Sequence, residues 1–212
     1  MFPVAILGAH LKSAIRNYAL LFFGCVVFHI LGTWTLPLID RDEPRFAEAS
    51  REMIERGNYV VPYFNNQLRL DKPPLTYWAQ VASYRIFGEN DFAARFPSAV
   101  AAALIAVSIL FRGSRIGDER VGWRAAIIFT LSLQTFIHAK AAVADMWLVF
   151  FVSTAHWSGL ELLHDGLTNT GHQRSNAPYR VSFWWFFFYI SLALGFLAKG
   201  PIAWVPLLTV GS

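Results

Sequence analysis

"YALLFFGCVVFHILGTWTLPLIDRDEPRFAEASREM", Tyr18 to Met53, holds the two features that decide the fold. From Tyr18 to Ile39 there is no formal charge. A bilayer core takes about 20 apolar residues as a helix, so this run predicts a membrane span. Then eight of the sixteen residues from Leu38 to Met53 are charged. Acid and base are gathered directly against the end of an apolar segment.

The whole chain shares this bias. Of its 212 residues, 55% are hydrophobic, 16% aromatic and only 15% charged. Soluble domains average about 25% charged residues, so the composition points to a membrane protein. The net charge of +4 is modest. Its basic residues are scattered, which gives nucleic-acid binding no footing. Cys25, the one cysteine, cannot form an internal disulfide and reads as a small buried hydrophobe. The first apolar run exceeds the roughly 7–15 residues of a signal-peptide core, and no small-residue cleavage site follows it. It reads as a retained span.

Further apolar runs follow. The first span is expected over about 18–39, then others over 92–111, 121–139, 142–162 and 181–198. A sixth begins near Pro201 and is incomplete at Ser212, so the chain reads as the N-terminal part of a longer polytopic protein. The fold expected is all-α, a helical membrane bundle. Lys12 and Arg16 precede the first span, and Arg112, Arg115, Arg120 and Arg124 crowd the short loop after the second. Dense Lys/Arg in a short loop marks the cytoplasmic side. The longer segment 40–91 mixes its basic residues with acids. The N-terminus is therefore placed in the cytoplasm. Parity then puts residues 40–91, the turn 138–145 and "AKGP" (Ala198–Pro201) together outside.

Within the outer segment, "DEPRFAEASREMIERG" reads as a helix. Asp42 or Glu43 could cap it, Pro44 fits its first turn and Gly57 its end. Phe46, Ala49, Ser50, Met53 and Ile54 recur at helical spacing, as for a helix lying on a membrane. "NYVVPYFNNQLRL" reads as extended, with a turn at the two asparagines. "DKPPLTYWAQVASYRIFG" restarts a helix, with Asp71 as a possible cap. The segment between the first two spans is thus expected to hold two outer-face surface helices.

Several ionisable residues share this face. Asp42 and Glu43 read either as helix-start residues or as a carboxylate held at the membrane surface to act as a general base. Asp145, just inside the fourth span, reads either as a helix-end residue or as a site acid facing the bundle interior. Lys72 in "LDKPP" and Lys199 in "LAKGP" read either as snorkelling lysines or as phosphate ligands beside a helix start. His29 and His156 on apolar faces read as packed histidines. No HExxH, GxSxG or P-loop pattern occurs.

"DEPRFAEASREM" resembles the first outer-loop motif of the bacterial aminoarabinose transferases, GT-C glycosyltransferases allied to the protein O-mannosyltransferases. The resemblance continues in order through "GNYVVPYFNNQLRLDKPPLTYW", "FGENDFAARFPSA", "ADMWLVFF" and "LAKGPIAW". It implies transfer of a sugar from a polyprenyl-phosphate carrier to an acceptor on the periplasmic face of the bacterial inner membrane. That acceptor would be lipid A, another glycolipid or a protein. By motif position it implies Asp42 as the catalytic carboxylate, Glu43 as its acidic neighbour, Asp145 as the second acid and Lys72 as a ligand of the carrier phosphate. Arg69 stands where a tyrosine of the aminoarabinose transferases would be, and with Lys199 completes the expected phosphate-binding set. Single displacement would invert the anomeric centre. No cofactor is called for, and a divalent metal is left open, as are the sugar and the oligomeric state. Two other readings stand beside the enzyme: a non-catalytic transporter or flippase, and a structural membrane subunit.

Overall fold

The computed structural model describes the backbone of residues 4–39, 42–169 and 183–210, with side chains over 14–39, 42–164 and 183–210. Asp40, the start of the expected fifth span and the end of the sixth lie outside these residues.

The described chain is mainly helical. Helix α1 (Val4–Ile30) is followed by α2 (Glu43–Arg56), a hairpin of β1 (Tyr63–Phe64) and β2 (Gln67–Leu68), α3 (Leu75–Phe87) and α4 (Asp91–Ile116). Then come α5 (Glu119–Leu131), α6 (Leu133–Ala139), α7 (Asp145–Asn169) and α8 (Phe183–Lys199). A 3₁₀ turn (Pro201–Trp204) leads into α9 (Val205–Val210). Among the described residues, two stretches are long and apolar enough to cross a membrane: α4, and α7 over Asp145–His164.

Helix α4 is the central element, packed by α1, α3, α5 and α7. Asn90 starts it, its side chain accepting from the Ala93 amide at 2.8 Å. Its inner surface is a run of small buried residues, among them Ala99, Ala101, Ala102, Ala103 and Ala106. Small side chains let helix backbones approach closely. The α4–α5 crossing is the extreme case. A Cβ on Gly113 would lie 2.7 Å from the Gly122 Cα, and one on Gly122 would lie 2.6 Å from the Leu110 carbonyl oxygen.

Three expectations about the spans are corrected. The first helix begins much earlier than residue 18 and ends at Ile30, not Ile39. Gly32 takes a left-handed φ of 81° there, and the Lys140 ammonium donates to the Leu31 carbonyl left free at the helix end. The third expected span is two helices. Ser132 is extended (φ −63°, ψ 139°), and its side chain caps the Thr135 amide at 3.4 Å, starting α6. The 13-residue α5 rises about 20 Å, short of a bilayer core by itself. The sixth expected span starts as the 3₁₀ turn rather than as a continuous helix.

The outer segment matches the reading in outline. Gly57 closes α2 in the left-handed region, φ 62°, with its amide on the Ile54 carbonyl. The Asn-Asn turn is real, with φ 52° at Asn65 and 62° at Asn66, both tolerated best by glycine and asparagine. Asp71 does not cap α3. The helix begins after Pro74 with no side-chain cap, and Asp71 pairs with Arg69 at 3.4 Å instead. The apolar face of α2 is covered by protein rather than by lipid. Phe46, Ala49 and Met53 pack on Tyr77 and Val81 of α3 and on Val143 and Ala144 of the turn before α7. A polar relay ties the same elements: Ser50 Oγ donates to Gln80 Oε1 at 2.7 Å, and Gln80 Nε2 to the Ala94 carbonyl at 3.1 Å.

Candidate active site

The start of α2 separates two adjacent acids. Asp42 is the residue before the helix, yet its side chain caps no amide. The carboxylate is 51% exposed, and its ion-pair partner is Arg45, at 3.9 Å. Of the two expected uses of Asp42, side-chain capping is thereby removed. Glu43 is the opposite, with a side chain 5% exposed. Arg95 Nε donates to its Oε1 at 2.9 Å and Arg95 Nη2 to its Oε2 at 3.0 Å. The Ala142 amide donates to Oε1 at 2.8 Å and the Ile39 amide to Oε2 at 3.2 Å.

Arg95 is as fully engaged as Glu43. Its other N–H groups donate to the carbonyls of Thr33 (3.1 Å), Leu36 (2.6 Å) and Pro37 (2.8 Å). One buried pair therefore fastens the chain leaving α1, the start of α2, the N-terminal part of α4 and the turn before α7. Burial pushes the Glu43 carboxyl up. The Arg95 hydrogen bonds, the Ala142 amide, the Arg95 charge and the Ile39 amide outweigh burial and hold it below its ordinary value. Both oxygens are taken by protein donors, so Glu43 has no hydrogen-bonding edge turned to a substrate. The sequence reading set Glu43 among the reacting acids; the structure places it as a clamp beside Asp42. Sequence reasoning missed Arg95 as a site residue. Its place among apolar residues near the start of α4 was the available signal, since a charge there needs a partner.

The other acid and lysine find each other. Asp145 opens α7, Lys199 closes α8, and the Lys199 ammonium is ion-paired with Asp145 Oδ1. Both side chains are 32% exposed, so the pair stays reachable from outside. The expected assignment of Lys199 to a phosphate thus meets a lysine already paired.

Arg69 is buried, at 8% exposure. Its Nε donates to the Tyr77 hydroxyl at 2.8 Å, and its guanidinium stands 5.4 Å from the Phe46 ring and 5.8 Å from the Phe64 ring. Burial pushes the Tyr77 hydroxyl up against the Arg69 bond and charge, with further upward contributions from Asp71 and Asp42. Asp42, Asp71, Arg69 and Tyr77 therefore share one electrostatic neighbourhood. Lys72 follows on the same loop, half-buried, with no hydrogen-bond or ion-pair partner among the described residues. Lys140 is occupied at the end of α1, where burial, then the Arg95 charge, lowers its pKa. Among the described residues no group of three His, Cys, Asp or Glu side chains could hold a metal ion.

A helical bundle with carboxylates and cations collected at the ends of its helices defines the class structurally, and the comparisons supply the family. The profile of the dolichyl-phosphate-mannose-protein mannosyltransferases matches residues 33–212, and the chain belongs to that family. It is 32% identical over 176 residues to an uncharacterized protein of Aquifex aeolicus, covering 83% of this chain and 37% of the relative. It is also 32% identical, over 184 residues, to an undecaprenyl phosphate-alpha-4-amino-4-deoxy-L-arabinose arabinosyl transferase of Aeromonas salmonicida. That match covers 86% of this chain and 31% of the relative. Among solved structures, apo ArnT from Cupriavidus metallidurans superposes with a TM-score of 0.73 at 22% identity, over 90% of this chain and 34% of ArnT. ArnT bound to undecaprenyl phosphate gives 0.67 at 24% identity, over 89% and 34%. The fold is shared at that level. The chain spans about a third of the length of these relatives.

Proposed function

We propose that this chain carries the carboxylate-bearing part of an inverting membrane glycosyltransferase, which moves a sugar from a polyprenyl-phosphate donor to an acceptor such as lipid A, another glycolipid or a protein. The observation that carries the reading is the contrast at the start of α2: Glu43 is locked by four protein donors while Asp42 beside it is open. Asp42 takes the proton of the acceptor hydroxyl as that oxygen attacks the anomeric carbon. The bond from the anomeric carbon to the carrier phosphate breaks, and its electron pair leaves with the phosphate. Lys72, unpaired on its loop, meets the growing negative charge, and Arg69 steadies the same loop against Tyr77. Lys199 reaches the phosphate by exchanging Asp145 for it, which gives Asp145 the part of a counter-ion rather than a base.

The same reading sets the topology. The bundle is polytopic in the bacterial inner membrane, with the N-terminus cytoplasmic and the ends bearing Asp42, Lys72, Asp145 and Lys199 periplasmic. The donor enters by diffusion within the lipid; the Aeromonas relative is named for an undecaprenyl phosphate sugar, and ArnT has been seen bound to undecaprenyl phosphate. The test is incubation of the full-length protein with labelled polyprenyl-phosphate sugars and bacterial membranes. Label is expected on a lipid or protein acceptor. Failure of every such donor to pass label on removes the reading.

A further inference from the structure

The far end of α4 holds a second feature that sugar transfer does not use. Arg112 lies seventeen residues beyond Arg95, roughly 25 Å along the helix. There a slot of about 300 Å³ opens between α1, α4, α7 and α8. Its wall is aromatic: Tyr18, Phe111, Trp157, Trp184 and Phe187, with Arg112 at one side. Tyrosine and tryptophan of this kind favour the headgroup level of a bilayer.

The polar content of the slot is small and specific. Thr154 and Ser158 line it, but their hydroxyls donate to the Phe150 and Thr154 carbonyls of their own helix, each at 2.8 Å. Arg112 is 7% exposed, and its Nε is buried with no partner. One Nη is ion-paired with Glu161, which follows Trp157 and Ser158 by one helical turn and so shares their face of α7. A buried ion pair with a spare donor is expensive to maintain beside an apolar slot. A guest with a charge of only one sign meets one member of the pair unfavourably. A headless apolar guest leaves the Arg112 Nε unpaired. A headgroup carrying both a phosphate and a primary ammonium satisfies both members.

We propose that this slot seats one zwitterionic phospholipid, with its phosphate on Arg112, its ammonium on Glu161 and an acyl chain along the aromatic wall. The proposal rests on the membrane reading above and not on sugar transfer. The volume suits one chain, being at the lower end of ligand pockets. Full-length protein, stripped of lipid in mild detergent, is titrated with equal amounts of phosphatidylethanolamine and phosphatidylglycerol, and bound adducts are counted by native mass spectrometry. Wild type is expected to take up one phosphatidylethanolamine in preference to phosphatidylglycerol. Ser108→Leu, which fills the slot while leaving both members of the ion pair in place, and Arg112→Gln should each weaken that binding at least tenfold. Glu161→Gln, which leaves Arg112 unneutralised, should turn the preference towards phosphatidylglycerol. If Arg112→Gln does not fold, Ser108→Leu still decides. Wild type without a preference for phosphatidylethanolamine, or Ser108→Leu binding it as wild type does, overturns the proposal. Lipid selection is scored apart from transfer, so an inactive protein that still selects the lipid supports the slot and removes only the enzymatic reading.

Discussion

At the residue scale, two neighbouring acids divide the work. Glu43 is a structural anion whose loss leaves Arg95 buried without its counter-ion. Breaking such a pair costs about 3–5 kcal/mol, so Arg95→Leu and Glu43→Gln should both lower thermal stability in detergent substantially. Asp42→Asn, at an exposed position, should leave the melting temperature near wild type. The pH dependence follows from the depressed Glu43 carboxyl. Its stabilisation is present above the ordinary carboxyl value of 4.5 and is lost as pH falls below that through the folded pKa. Glu43→Gln should therefore flatten the loss of stability below about pH 4.5, read by melting curves at stepped pH. An unchanged acid limb would remove the clamp. Asp42 and Lys72 stood out in the sequence because Asp42 comes just after a long apolar run, two residues before Pro44, and Lys72 stands directly before Pro73. The Glu43–Arg95 pair did not, because its partners are 52 residues apart and only the fold joins them.

At the element scale, local chemistry made some boundaries legible and hid others. Gly57 and the Asn65–Asn66 turn are places where the backbone needs φ above zero, and their residue types announce it. The break in the third expected span was hidden, because Ser132 sits in an otherwise continuous apolar run and acts through a cap that hydropathy does not register. The covering of α2 was hidden too. Its apolar face has the spacing of a membrane-surface helix, and only the fold shows that Tyr77, Val81 and Val143 occupy it. The α4–α5 crossing depends on glycine by contact. Gly122→Val should destabilise the bundle by about 1–3 kcal/mol or more, since the new side chain meets the Leu110 carbonyl and the Ser114 amide, which are backbone, as well as the Ser114 hydroxyl. A melting temperature equal to wild type would show that the two helices do not cross as described.

At the scale of the whole molecule, apolar composition and motif order foretold a helical membrane protein and its family. They did not foretell how the charged groups would pair. The orientation makes a direct prediction. In a Cys25→Ser background, a cysteine at Asn58 should react in intact cells with a membrane-impermeant maleimide, and one at Arg115 only after the membrane is opened. The reverse pattern would place the candidate site on the cytoplasmic face. The most direct measurement compares full-length wild type with Asp42→Asn for label transfer from a polyprenyl-phosphate sugar, at matched expression and melting temperature. Loss of transfer by at least about 100-fold in Asp42→Asn, with the fold intact, is the predicted result for a general base. Undiminished transfer by Asp42→Asn would contradict it.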